Sequence, residues 1–318
     1  MDAELVEEAK EKVAAMSKLT LILLVGAVAS AGVAVVLHSW IHDVADVLHV
    51  IALSLGSLAL LRMLNSISLI LPSPIARAVH WVHAIVFEVI TLICVVVLRL
   101  YSYLYSFEKP DGLCNGAPIL LVHGYINTAS VWVYIKRRLA KAKLGPIYTV
   151  NLKNPFGSIR EHAETVAQKM NQIQKETGRS DIAIIGHSMG GLVAAYYKTH
   201  FASDALSKLI TIASPLKGTY MAYFGLGKNS RDMQINSPLI LEMQKKYIDI
   251  ENLYNIGTQT DVLIVPYTSS LWNQDVKRQV VFEDLGHASL LFSPRVAAVL
   301  QLFLTNRDFI SLDGDLKP

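Results

Sequence analysis

The segment Gly186-His187-Ser188-Met189-Gly190 sets a serine midway between two glycines. The apolar run Ile182-Ala183-Ile184-Ile185 precedes it, and a helix-like pattern begins directly after the serine. Strand, sharp turn and helix in that order make a nucleophile elbow, which raises a serine Oγ above the edge of a sheet where a base can reach it. Gly186 and Gly190 suit such a turn because a side chain at either place would crowd it. A serine hydroxyl is too weak an acid to attack alone. It needs a general base, and the base needs a third group to orient it. Two glycines flanking a serine also occur in ordinary strand-to-helix turns, so the argument depends on what stands at the other strand ends.

Strand signals fall at 118–123, 147–152, 182–186, 208–213, 253–257 and 279–283. Helix signals fall at 128–143, 160–177, 189–201, 236–247 and 294–305. Such alternation predicts an α/β domain, a mainly parallel sheet with helices on both faces. In these sheets the chemistry gathers at the carboxyl ends of the strands. The first strand ends in His123-Gly124-Tyr125 and the fourth in Ala213-Ser214-Pro215. The fifth runs into Gly257-Thr258-Gln259-Thr260-Asp261, and the last into Leu285-Gly286-His287. Taken singly, such a histidine is a loop residue and such an aspartate a turn former. Together, Ser188, Asp261 and His287 supply nucleophile, orienting acid and base. Asp249 precedes its strand and Asp284 is too near His287 in sequence to lie beneath it, which leaves Asp275 as the rival to Asp261.

Four segments carry a family resemblance: Leu121-Val-His-Gly-Tyr125, Gly186-His-Ser-Met-Gly-Gly191, Ala213-Ser-Pro-Leu-Lys-Gly-Thr219 and Gly286-His-Ala-Ser-Leu-Leu291. With the chain order serine, acid, histidine, they make residues 117–305 resemble the small bacterial lipases and esterases of the α/β-hydrolase superfamily. The resemblance implies an α/β-hydrolase fold and a Ser188–His287–Asp261 triad. It implies an oxyanion hole of the Met189 and Tyr125 backbone N–H groups, supported by His187 and by the His123-Gly124 turn. No cofactor and no metal are implied. Residues 213–218 depart from the Gly-Thr-Pro-His-x-Gly common in the family: Leu216 stands at the histidine's place, and Lys217 beside it is unusual there. Residues 217–247 are rich in Met, Tyr, Phe and Leu, which predicts a small cap; Met221, Tyr223, Phe224 and Leu226 either line an acyl site or pack in the core.

The chain is 52% hydrophobic and 17% charged over 318 residues, with mean hydropathy +0.38. The apolar excess lies in front. Residues 1–18 read as an amphipathic leader and 19–108 as a membrane-embedded helical region of two to three segments. Residues 109–318 read as the catalytic domain. Residues 19–37 carry no charge, 47–71 are broken only by Arg62, and 78–98 only by Glu88. About 20 apolar residues cross a hydrocarbon core of about 30 Å. Glu88 makes the third run the doubtful one, because a carboxylate at membrane depth is costly and faces protein or water; it is read either as functional or, preferably, as packed against the first two runs. Lys10, Lys12 and Lys18 place the N-terminus in the cytoplasm. Three spans put the catalytic part on the far side and two spans keep it cytoplasmic. Residues 109–318 hold 23 Lys and Arg against 17 Asp and Glu. Their cluster Lys136, Arg137, Arg138, Lys141 and Lys143 fits either a lipid-facing or an ordinary solvated helix face. Nothing points to nucleic acid. Cys94 and Cys114, the two cysteines, do not read as a disulfide pair.

The expectation is an integral membrane serine ester hydrolase, of a bacterial inner membrane, acting on lipid or another acyl ester. A phospholipid deacylase or acyltransferase with the same triad is the alternative in class. A catalytically inactive hydrolase fold that binds membrane is the alternative of another kind.

Overall fold

The computed structural model describes residues 73–102, 107, 110, 116–201, 205–247, 250, 252–272 and 276–305. The six apolar runs are strands: β1 (Ile119–Val122), β2 (Ile147–Val150), β3 (Ile182–His187), β4 (Leu206–Ile212), β5 (Leu253–Thr258) and β6 (Gln279–Phe282). They form one sheet in the order β2-β1-β3-β4-β5-β6, with every adjacent pair parallel. Alternation along each strand divides the core. Leu120, Val122, Ile182 and Ile184 face one helical layer, whereas Ile119, Leu121, Ala183 and Ile185 face the other. Burial on both faces explains why these runs are continuously apolar.

The helices are α1 (Ser73–Tyr101), α2 (Val133–Lys141), α3 (Ile159–Thr177), α4 (Met189–His200), α5 (Lys228–Asp232), α6 (Pro238–Lys246) and α7 (Pro294–Thr305). Helices α3, α4 and α6 cover the first face; α2 and α7 cover the second. Helix α3 starts in a capping box, Ser158 accepting from Glu161 N–H and Glu161 from Ser158 N–H, and stops at Gly178 with φ 68°. Those caps satisfy orphan backbone groups at both ends. Helix α6 begins with Ser237 accepting from Ile240 N–H, and with Pro238 in its first turn. Two short cap elements have no counterpart in the sequence reading, the 3-10 turn Tyr220–Tyr223 and α5.

Helix α1 lies within residues predicted to be membrane-embedded, but it packs on the second face of the sheet domain through Phe87 and Val95. Ala84, Glu88 and Thr91 are buried, while Val82, Ile85, Val89, Ile93, Val96 and Val97 are exposed. Spacings of four and three residues put the buried group on one helical stripe. The helix thus buries Glu88 and Thr91 beside Ala84, Phe87 and Val95, and leaves a row of apolar side chains outside. Among the described residues no helix is long and apolar enough to cross a membrane. The expected third span over 78–98 is corrected accordingly: its acidic residue is spent on the sheet domain. The leader 1–18 and the runs 19–37 and 47–71 lie outside the described residues, as do Cys114, Asp249 and Asp275.

Of the basic cluster, Lys136 alone is corrected: it is buried and its ammonium donates to the Phe107 carbonyl at 3.3 Å, whereas Arg137, Lys141 and Lys143 remain exposed.

Candidate active site

The strand order reverses between β1 and β3, the topological switch point where open α/β sheets place their chemistry. Ser188 stands there, directly after β3, at φ 55° and ψ −130°. That left-handed backbone is strained for a residue with a Cβ. It is held by Ser188 N–H donating to Ile212 O at 2.8 Å and by Gly191 N–H donating to Ser188 O at 3.1 Å. The flanking glycines allow the helix to start this close to the sheet. A Cβ on Gly186 would lie 2.5 Å from Gly191 Cα, and one on Gly190 would lie 2.2 Å from Val122 O. We expect Gly190→Ala to cost about 3 kcal/mol, lowering Tm by about 6–12 °C, because backbone rather than a mobile side chain must move; thermal denaturation measures it.

Asp261 and His287 come from different strand ends. Asp261 follows β5 and is buried. One carboxylate oxygen accepts the N–H groups of Leu263 and Ile264, each at 2.8 Å. Its two oxygens stand 3.1 and 2.9 Å from His287 Nδ1. With acceptors there, Nδ1 carries a proton and Nε2 is left to act as base. Burial pulls the His287 pKa down, but the charge and hydrogen bond of Asp261, aided by the charge of Glu88, outweigh it and leave it raised above 6.5. Asp284 is engaged elsewhere, with Arg295 at 2.6 Å.

His187 packs its ring against His287, centroids 4.7 Å apart, and its Nε2–H donates to the His287 carbonyl at 3.1 Å. Burial holds the His187 pKa well below the ordinary value, so this ring stays neutral. His123 is likewise neutral, its pKa lowered to about 4 by burial. Its Nδ1–H donates to Gly124 O at 2.9 Å and its Nε2 accepts Leu152 N–H at 3.0 Å, tying the end of β1 to the segment after β2. Gly124 approaches Ser188 closely; a Cβ there would lie 2.8 Å from Ser188 Cβ. The turn at Gly124, just before Tyr125, thus lies against Ser188, which α4 follows directly from Met189.

The cap is small and pinned. The Tyr125 hydroxyl donates to Leu226 O at 2.7 Å and accepts Leu226 N–H at 2.9 Å. Asp232 accepts Ile159 N–H at 2.9 Å, and Lys228 meets Glu161 at 2.8 Å. Of the four candidate lining residues, Tyr223, Phe224 and Leu226 are exposed and Met221 is half-buried, so none belongs to the core. Phe224 is 81% exposed. Lys217 sits with its ammonium 5.5 Å from the Trp272 ring centre, a cation–π contact.

Sequence reasoning missed the residue that completes the histidine loop. Glu88 of α1 is buried, and its carboxylate accepts Ala288 N–H at 2.7 Å and Ser289 N–H at 3.0 Å. The signal was present, a lone acid in an apolar run, but its partner lies 200 residues away. Among the described residues no cluster of three side chains could hold a metal ion.

Residues 117–236 match the family described as alpha/beta hydrolase fold. A pimeloyl-[acyl-carrier protein] methyl ester esterase of Vibrio cholerae is 31% identical over 103 residues, 32% of this chain and 39% of that protein. A triacylglycerol lipase of Pseudarthrobacter phenanthrenivorans is 28% identical over 119 residues, 34% of this chain and 35% of that protein. The chain therefore spans well under half the length of these curated relatives. In three dimensions the domain resembles the mature lipase BlEst2 of Bacillus licheniformis, with a TM-score of 0.50 and 13% identity over 64% of this chain and 95% of that one. Sheet order, elbow and matched segment together identify the fold of residues 117–305 as that of the α/β hydrolases.

Proposed function

We propose that the protein is a membrane-attached carboxylic ester hydrolase, acting on lipid or another acyl ester through Ser188, His287 and Asp261. The observation that carries the reading is the buried Asp261–His287 pair at 2.9 Å, whose imidazole packs on His187, the residue before a serine held at φ 55°. The names of the matched esterase and lipase support it. In this mechanism Ser188 Oγ attacks the ester carbonyl as His287 Nε2 takes its proton. The charge that develops on the carbonyl oxygen meets the N–H groups of Met189 and Tyr125. The tetrahedral intermediate collapses as the imidazolium returns the proton to the leaving alcohol. An acyl-enzyme remains, and a water activated by the same base hydrolyses it. Asp261 keeps the imidazole in the productive tautomer and stabilises its charged form.

Membrane attachment rests on the uncharged run 19–37 and on 47–71. Two crossings return the chain to its starting side. The lysines before the first run then place the catalytic domain on the cytoplasmic face of a bacterial inner membrane. The exposed apolar side chains of α1 and of the cap, Phe224 and Leu226 foremost, suit a substrate that arrives from a bilayer.

The test is hydrolysis of p-nitrophenyl esters from C2 to C16 by detergent-solubilised protein, beside Ser188→Ala. Serine-dependent turnover rising with chain length is the expected result; short-chain preference removes the lipid substrate from the proposal. Serine-dependent fluorophosphonate labelling without turnover indicates an acyltransferase, and no labelling of the folded protein a binding module. Phe224→Ser with Leu226→Ser should lower kcat/KM for esters of C12 and longer by about tenfold, roughly the loss of one buried apolar side chain. The C2 ester should be unaffected.

A further inference from the structure

The N-terminal helix touches the catalytic apparatus at two places. Glu88 accepts the two N–H groups that directly follow His287. Eleven residues on along the same helix, Arg99 donates to the carbonyl of Ile126, the residue after Tyr125. The histidine loop and the oxyanion loop are thus both fastened to one helix, which lies outside the segment that matches the hydrolase family. We propose that Glu88 is a positioning residue for His287, and that α1 is through it a working part of the active site rather than a neighbour of it. This rests on the ester-hydrolase reading above.

The geometry is that of a carboxylate clamping a loop. His287 is five residues beyond β6 and begins a turn that runs into the 3-10 segment Ser289–Phe292. Its main chain is otherwise held by the His187 ring bonded to its carbonyl and by the Thr258 and Thr260 hydroxyls bonded to Leu285 O. Those contacts fix the loop before and at His287, and Glu88 fixes it after. Each Glu88 carboxylate oxygen accepts one of the two N–H groups, a pairing that an amide, with one oxygen and one NH2, does not reproduce. The fit is close. A Cβ on Gly286 would come within 2.4 Å of the Glu88 carboxylate, so glycine at that place makes room for the clamp.

The clamp also has an electrical effect. The titratable groups facing His287 are Asp261 from the loop after β5, Glu88 from α1 and His187 from β3. Burial raises the Glu88 pKa, opposed by the Ala288 and Ser289 N–H groups and by the His287 charge; in its ionised form Glu88, like Asp261, favours the imidazolium. Removing that charge lowers the His287 pKa, so the base form survives to lower pH.

The experiment compares wild type, Ser188→Ala and Glu88→Gln in full-length solubilised protein, by kcat and KM against pH. Turnover lost in Ser188→Ala establishes the reading on which this inference rests; turnover equal in the two removes that reading and the inference with it. Given Ser188-dependent turnover, Glu88→Gln is expected to lower kcat about 10–100-fold with KM within about twofold, as when a catalytic group is misplaced by an ångström or its supporting partner is lost. The acid limb of kcat/KM should also move to lower pH. A role in packing alone would lower the folded yield and leave that limb in place. Unchanged kcat, or a reduced kcat with an unmoved limb, overturns the proposal. If Glu88→Gln does not fold, Gly286→Ala replaces it, because its Cβ displaces the carboxylate without deleting it. The expected result is then the same fall in kcat at unchanged KM, and wild-type kcat overturns the proposal.

Discussion

Ser188→Ala should abolish ester hydrolysis, lowering kcat by about 10^6-fold, the loss seen when the nucleophile of a serine triad is removed. What remains is the catalysis that the oxyanion donors and binding supply to water, about 10^3-fold over the uncatalysed reaction. The protein itself should stay folded. Ser188 Oγ has no structural duty that an alanine Cβ fails to perform, since the elbow is held by the Ser188 main chain and by the glycines around it. Alanine relieves none of the strain at φ 55° because it also carries a Cβ. Unchanged Tm with no turnover and no fluorophosphonate labelling is therefore the expected pattern. Residual activity within about tenfold of wild type would place the nucleophile elsewhere and defeat the proposed function.

Asp261→Asn should be nearly as damaging, with kcat down about 10^4-fold at neutral pH. An amide facing His287 Nδ1 can present its own N–H there, which reverses the imidazole tautomer and puts the proton on Nε2, the atom that must accept one from Ser188. Geometry should survive better than chemistry, because the amide oxygen can still accept Leu263 and Ile264 N–H. The pH profile gives an independent check. In the wild type the net upward shift of His287, with Asp261 outweighing burial, places the acid limb of kcat/KM above pH 6.5. Activity rises as pH climbs through the folded pKa and the imidazolium loses its proton. In Asp261→Asn the larger raising influence is gone, leaving only that of Glu88 against burial, so the limb falls to lower pH. A limb that stayed in place would assign it to a group other than His287.

Much of the catalytic domain is legible in the sequence for a simple reason. The six strands are short and mostly apolar, so the pattern finds them within a few residues. The functional side chains follow because a parallel sheet sends every strand's carboxyl end to one edge, where Ser188, Asp261 and His287 then must gather. Helix α5 was less legible: five residues, Lys228–Asp232, of mixed polarity carry no periodic signal. They hold as a helix through tertiary bonds, Asn229 to Pro155 O at 2.9 Å and Asp232 to Ile159 N–H. Lys136 misled for a related reason. On a helix drawn alone it joins a basic cluster, but packing turned it to a carbonyl in the interior.

The sequence by itself determined the sheet and the elbow, and it put Ser188 and His287 forward as nucleophile and base, because backbone geometry and strand order follow from local residue types. It narrowed the acid to two candidates, and the fold brought Asp261 to His287 by turning the Asp261 loop beneath the imidazole. What only the tertiary structure decided is the work of α1. Residues 78–98 satisfy the composition of a membrane span, and composition cannot tell which side of a helix meets what. Packing chose the stripe Ala84–Glu88–Thr91 for the inside, where two backbone donors awaited a carboxylate 200 residues earlier in the chain. A buried carboxylate is stable only with such partners, and no local pattern announces a partner at that distance.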